Sequence, residues 1–148
     1  NLFVTDVADR QAIGIINSST GNHFKNNVVV AVTISGATVA ANARGQLLAT
    51  DSSTVAANTF EHNAWISGAF GSDDGAAAYV PNASEHRLTN FDAAWFTAFP
   101  TSMKRDPSGF APAASAPWLD KGNLLPEVPS DRTGAARTSP VDLGPYER

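Results

Sequence analysis

The sequence predicts an all-β fold in which short strands stack as a solenoid, followed by an irregular C-terminal region. Three observations predict it: the placement of proline, the alternation of short apolar runs with corner residues, and an internal repeat with a period near 36. None of the nine prolines precedes Pro81, and eight lie from Pro100 onward. Proline removes a ladder donor and is poorly tolerated in central strands. The first 80 residues are therefore free to pair as sheet. The expected division is 1–80 for stacked coils and 81–148 for a capping region with a short helix and a Pro-rich tail.

Strand candidates rich in Val, Ile, Leu, Thr and Ala fall at 2–4, 13–16, 28–34, 46–50 and 64–67. Gly21-Asn22, Gly36, Asn42, Gly45 and Gly68 separate them, and such residues mark corners. One segment departs from this pattern. Leu88, Phe91, Trp95 and Phe99 recur at spacings of three or four, which predicts a short amphipathic helix near 91–98. Asn90 would cap it, Asp92 would sit in its first turn and Pro100 would stop it.

The repeat is visible by self-comparison. Asn22-His23-Phe24-Lys25-Asn26-Asn27 matches Asn58-Thr59-Phe60-Glu61-His62-Asn63 at an offset of 36, and each is followed by three apolar residues. Gln11–Thr20 parallels Gln46–Thr54 at an offset near 35. A short strand cannot bury its apolar side chains alone, and stacking the next copy on it buries them and satisfies the backbone together. The matched asparagines fall at corners, where Asn tolerates left-handed backbone and can stack as an amide ladder. A β-sandwich with similar hairpins is the competing reading.

Composition narrows the function. Fourteen acidic residues against ten Lys+Arg give a net charge of −4, with no basic cluster to neutralise a phosphate backbone, so nucleic acid is not an expected partner. No apolar run approaches the roughly 20 residues that span a bilayer as helix. The absence of cysteine excludes a disulfide scaffold, a Cys-based zinc site and a cysteine nucleophile.

The C-terminal segment carries a resemblance. Asp131-Arg132-Thr133-Gly134-Ala135-Ala136-Arg137, followed by Val141-Asp142-Leu143-Gly144-Pro145-Tyr146-Glu147, resembles the closing motif of right-handed parallel β-helix proteins of the pectin-lyase-like group. The upstream Ala116-Pro117-Trp118-Leu119-Asp120-Lys121-Gly122 is similar to their S-P-A-I-D-x-G segment. The chain departs from those patterns at Ala116, where Ser is usual, and at Pro145, where Ala is usual. The resemblance implies a right-handed parallel β-helix with the tail folded back along its outside. It implies a structural part for the tail: Asp131 and Asp142 accepting backbone N–H groups, and Arg137 paired with a carboxylate, Asp131 or Asp142. It also implies an extracellular or cell-surface protein whose partner is a polysaccharide. Such proteins are often polysaccharide lyases or glycoside hydrolases, and others are non-catalytic adhesion modules.

A lyase needs a base and a cation or arginine for the uronate carboxylate, and a hydrolase needs two carboxyl groups. No serine elbow or H-E-x-x-H motif is present, and the catalytic residues are not identifiable. Glu61, His62 and Trp65 are the candidate substrate-binding residues, because Glu61 and His62 replace Lys25 and Asn26 at outward repeat positions. Trp65 has two readings, a ring stacked on a sugar or an inward cover over the last coil. Asp73-Asp74 could bind Ca²⁺, although no D-x-D-x-D spacing builds a full cage around it. Glu85-His86-Arg87 could supply an acid or base, and Lys104-Arg105-Asp106 could meet an anionic sugar. About two coils are visible, fewer than such stacks need, and strand begins at once at Leu2. The expectation is the C-terminal part of a larger protein, with an upstream β-helix segment or chain completing the stack.

Overall fold

The computed structural model describes residues 1–6, 11–15, 19–35, 38–51, 55–72, 78–100 and 107–147. It is mostly β. Among the described residues ten strands form in chain order: β1 (Leu2–Thr5), β2 (Gln11–Ile15), β3 (His23–Lys25), β4 (Val28–Ser35), β5 (Thr38–Ala41), β6 (Gln46–Thr50), β7 (Thr59–Glu61), β8 (Ala64–Ile66), β9 (Ala69–Ser72) and β10 (His86–Leu88). Nine of them build three parallel sheets: β1-β4-β8-β10, β2-β6-β9 and β3-β7. The chain visits the sheets in rotation, so each later round lies in register on the one before.

The repeat seen in the sequence is this register. Phe24 pairs with Phe60, and Val28, Val29 and Val30 pair with Ala64, Trp65 and Ile66, all at an offset of 36. Gln11 pairs with Gln46 at the offset of 35. The next round is shorter, since Ala64 pairs with His86 at an offset of 22. The longer round contains an antiparallel hairpin in which β5 folds back on the end of β4, from Val32↔Ala41 to Ser35↔Thr38.

All five strand candidates form; 46–50 keeps its bounds and the other four have shifted ends. Ser67 takes a φ of 60° and Gly68 a φ of 59°, so the strand predicted to 67 stops at Ile66 and the chain turns sharply into β9. A side chain at Gly68 would lie 2.5 Å from the Gly45 carbonyl oxygen and 2.7 Å from Ala31 Cβ, so this corner closes only on glycine. β3, β5, β7, β9 and β10 were not predicted. They are three or four residues long, too short to show a period of two.

Two apolar clusters flank the sheet built on β4. Ile13, Ile15, Val29, Ala31, Leu47, Leu48, Phe60, Trp65 and Tyr79 fill the space between the three sheets. Val28, Val30, Val32, Ala64 and Ile66 point the other way and meet Phe96, Phe99, Ala116, Trp118 and Leu143 of the C-terminal segment. Residues 28–32 are consequently buried without a break, as expected for a strand covered on both faces. Each fully buried Val there contributes about 1.5–3 kcal/mol.

The helix predicted near 91–98 is replaced by a single 3₁₀ turn, Ala93–Trp95. Asp92, not Asn90, caps it, accepting from the Ala94 N–H at 2.9 Å. The chain leaves the helical path because its next N–H groups have other partners: Thr97 donates to the Ala111 carbonyl at 2.9 Å and Ala98 to Gly109 at 3.1 Å. The apolar spacing reflects an aromatic cluster instead, with ring centroids of Phe91 and Phe99 at 5.1 Å, Phe96 and Phe99 at 4.8 Å, and Phe96 and Trp118 at 5.1 Å.

Residues 131–147 form a hydrogen-bonded clasp. Asp131 Oδ1 accepts from the N–H groups of Thr133 and Ala135 and from the Thr133 hydroxyl, and Oδ2 accepts from Glu147 N–H at 3.0 Å. Asp142 accepts from Asp120 N–H at 2.8 Å. Arg137 differs from expectation. Its carboxylate is Glu147, at 3.4 Å, and it also donates to the carbonyls of Asp142 and Gly144. Asp131 is already occupied by four donors, which leaves Glu147 to meet the guanidinium.

Candidate functional site

The predicted residues Glu61, His62 and Trp65 lie at one corner and on the strand that follows it, and they point to different places. Glu61, at the end of β7, lies beside Lys25 of the preceding round and forms an ion pair at 2.8 Å. His62 follows with φ 51°, and its repeat partner Asn26 has φ 54°. The left-handed corner is thus rebuilt in each copy, a conformation that Asn and His tolerate better than branched residues. Trp65 lies inside. Its ring is fully buried, its Nε1 donates to Glu85 Oε1 at 2.8 Å, and Phe70 and Tyr79 meet its faces and edges at 5.4 and 6.1 Å. No face of that ring is open to a sugar.

The tail crosses the same corner. His62 Nδ1 lies 3.1 Å from the Lys121 carbonyl oxygen. Asn26 donates from Nδ2 to the Asn123 carbonyl at 2.5 Å, and its Oδ1 accepts from the Asn123 N–H at 3.0 Å. This brings Lys121 and His86, at the head of β10, next to His62. Burial holds the His86 imidazole below its usual value, and the charges of Lys121 and His62 push it further the same way. Glu61 is held low by its bond to Lys25, assisted by the charges of His62 and His23. His62, His86 and Lys121 therefore lie near one another at this corner, while His23 and Lys25 stand beside Glu61 on the neighbouring strand pair β3-β7. In sequence His86 stood out within Glu85-His86-Arg87 as a possible acid or base, but its place at this corner, and that of Lys121, was hidden. The third round is 22 residues long instead of 36, so His86 falls out of the repeat alignment, and Lys121 arrives from a different region.

The polar triplet at 85–87 divides. Glu85 is buried and accepts from Asn63 Nδ2 at 3.0 Å, Trp65 Nε1 at 2.8 Å, Asn82 N–H at 3.1 Å and the Tyr79 hydroxyl. Arg87 donates to the carbonyls of Trp65, Ser67, Leu88 and Gly68 at 2.6–3.1 Å and lies over the Phe70 ring at 5.4 Å. Both are committed to structure, and His86 is left to the corner. Beside Lys25 and Asn26 opens a cleft of about 410 Å³, which the tail residues Ser130, Asp131, Arg132 and Arg137 complete.

Asp73-Asp74 and Lys104-Arg105-Asp106 lie outside the described residues. Among the described residues no group of three or more His, Asp or Glu is arranged to hold a metal ion, and no helix is long and apolar enough to cross a membrane. Comparison with protein-family models, with curated proteins and with solved structures finds no match for this chain.

Proposed function

We propose that this chain is part of an extracellular, carbohydrate-active right-handed parallel β-helix protein, and that its histidine corner holds an acidic polysaccharide. The observation that carries the reading is the corner itself. His23, Lys25, His62, His86 and Lys121 come from stacked rounds and from the tail that crosses them. These groups are gathered from different rounds at one place, with Lys25 already paired to Glu61. Basic side chains gathered in this way suit a polymer with a carboxylate on each unit. The three parallel sheets and the buried tail clasp support the β-helix part of the reading.

Lysis follows from the same groups. His86, whose imidazole burial holds below its usual value, would take the C5 proton of a uronate as the C4–O bond breaks, a C4=C5 double bond forms and the leaving oxygen takes a proton from water. Lys121 would face the carboxylate. Polygalacturonate and a panel of other uronate polymers supply the test. Binding should weaken with salt and fall at least tenfold in the double variant His62→Ala/Lys121→Ala. Turnover would appear as absorbance at 235 nm. Absence of binding to every uronate polymer at low salt would overturn the reading.

A non-catalytic adhesion module is the second reading, favoured by one observation. The buried carboxylates Glu85, Asp131 and Asp142 each accept backbone or side-chain donors, and Glu61 is ion-paired. None of these is left as one half of a hydrolytic pair. Silence at 235 nm and in a reducing-sugar assay, with binding retained, would assign this role.

A further inference from the structure

The two ends of the stack are chemically different, and the difference specifies a partner. Before each strand of the four-stranded sheet stands a corner residue: Asn1, Asn27, Asn63 and then Glu85. Their side chains form a ladder with one direction. Asn1 Nδ2 donates to Asn27 Oδ1 at 3.1 Å, Asn27 Nδ2 to Asn63 Oδ1 at 2.9 Å, and Asn63 Nδ2 to Glu85 Oε1 at 3.0 Å. A second ladder runs the same way, Asn22 Nδ2 donating to Asn58 Oδ1 at 2.9 Å. Glu85 only accepts, so the first ladder ends there. Arg87 then takes up four carbonyls at that end of the sheet.

The opposite end is open. Among the described residues β1, β2 and β3 each pair on one side only. Asn1 and Asn22 are exposed there, and among the described residues no hydrogen bond reaches Oδ1 of either. Phe24 stacks on Phe60 at 5.2 Å and stays half-buried. A cleft of about 350 Å³ runs along β1, lined by Leu2, Phe3 and Val4 together with Phe110, Pro145 and Tyr146.

We propose that this end receives one more parallel round bearing the N-x-F-x-x-N spacing, whose corner asparagines donate to Asn1 and Asn22 and whose Phe stacks on Phe24. The partner is thus a donor-terminated β-round that continues the interface the chain makes between its own rounds. A second copy of this chain does not qualify. Its opposite end would set the Glu85 carboxylate against Asn1 Oδ1, acceptor against acceptor, with Arg87 between the sheets. The proposal rests on the β-helix reading above and adds to it the chemistry of the joining surface.

The junction can be built from the chain itself. A copy of residues 27–62 placed directly before Asn1 recreates Glu61-His62-Asn at the corner. The extended chain should melt at least about 5 °C above the parent, and the added round should resist limited proteolysis. Asn27→Asp with Asn58→Asp in the added copy alone removes the donors and should abolish most of that rise. The unextended chain should sediment as a monomer at 100 μM. An extended chain that melts no higher than a scrambled extension, indifference to the two Asp changes, or head-to-tail oligomers of the parent would each overturn the proposal. Polygalacturonate binding by the parent reports separately on the function above, so the two readings fail independently.

Discussion

The side-chain amide of Asn27 donates to Oδ1 of Asn63, its repeat partner 36 residues later, at 2.9 Å. The same Oδ1 accepts the Asn27 backbone N–H at 3.1 Å, while Asn63 Nδ2 divides between the Phe24 carbonyl and Glu85. One fully buried amide thus satisfies groups from three rounds. Buried polar groups left unpaired cost far more than a hydrogen bond contributes in water.

Asn63→Ala should therefore destabilise the chain by about 3 kcal/mol, since it strands the Asn27 amide, the Phe24 carbonyl and one bond of Glu85. Asn63→Asp should be worse, because a second buried carboxylate would face Glu85. Urea denaturation of both variants gives the order. An Asp variant as stable as the parent would remove the ladder from the account.

The parts of the fold that were legible in sequence are those the ladder and the core repeat. Asn22/Asn58, Phe24/Phe60 and Asn27/Asn63 carry a corner, a stacked ring and a second corner at one spacing, and two copies suffice to show it. What was hidden depends on distant chain. His86 joins the corner only because a 22-residue round follows a 36-residue one. Trp65 becomes an inward ring because Glu85 and Tyr79 arrive to enclose it. The spacing of Phe91, Trp95 and Phe99 matched a helix, but the N–H groups of Thr97 and Ala98 pair with Ala111 and Gly109, which no local pattern encodes.

Tyr79 supplies a prediction at high pH. Burial pushes its phenol well above the usual value of 10.0, and the hydrogen bond to Glu85 and the charge on Glu85 push it further. The folded state keeps a proton that the unfolded state releases above pH 10, so stability is complete below that value and falls as pH rises beyond it. In a Tyr146→Phe background the absorbance change at 295 nm should coincide with unfolding by circular dichroism. Ionisation of Tyr79 in a still-folded chain would contradict the buried pair.

Arg137 holds the tail clasp. Its side chain is 7% exposed and meets Glu147 and the carbonyls of Asp142 and Gly144. Arg137→Ala should cost about 3–5 kcal/mol, as for breaking a buried pair from one side. Arg137→Lys should recover only part, because an ammonium cannot span the same carbonyls. Thermal melts read beside polygalacturonate binding separate the roles. Lost binding with an unchanged melt would place Arg137 in a ligand site.

Asp131 extends the clasp to acid. Burial pushes its carboxyl up, but the donors from Glu147, Thr133 and Ala135 outweigh this and hold it below the usual 3.8. Its contribution is complete above pH 3.8 and is lost as pH falls through the lower folded value. Glu147 has the opposite sign: burial raises it above 4.5, so its ionisation detracts from stability as pH rises through the folded value. Acid titration of Asp131→Asn should therefore lose the steep low-pH limb of the parent, and Glu147→Gln should keep it.

The histidine corner gives the last prediction. Burial, then the charges of Lys121 and His62, hold His86 below 6.5 in the folded chain. The unfolded chain binds that proton first as pH falls, so the contribution is complete above pH 6.5 and declines as pH drops through 6.5 towards the folded value. Lys121→Gln removes one of the opposing charges and should raise the His86 value while leaving the Lys121 carbonyl contact to His62 in place. A bound uronate should raise it as well, because a carboxylate favours imidazolium. Proton NMR titration of the three imidazole resonances, with and without oligogalacturonate, reads both effects. A His86 resonance that titrates at 6.5 in every sample would show that the corner does not bring these charges together.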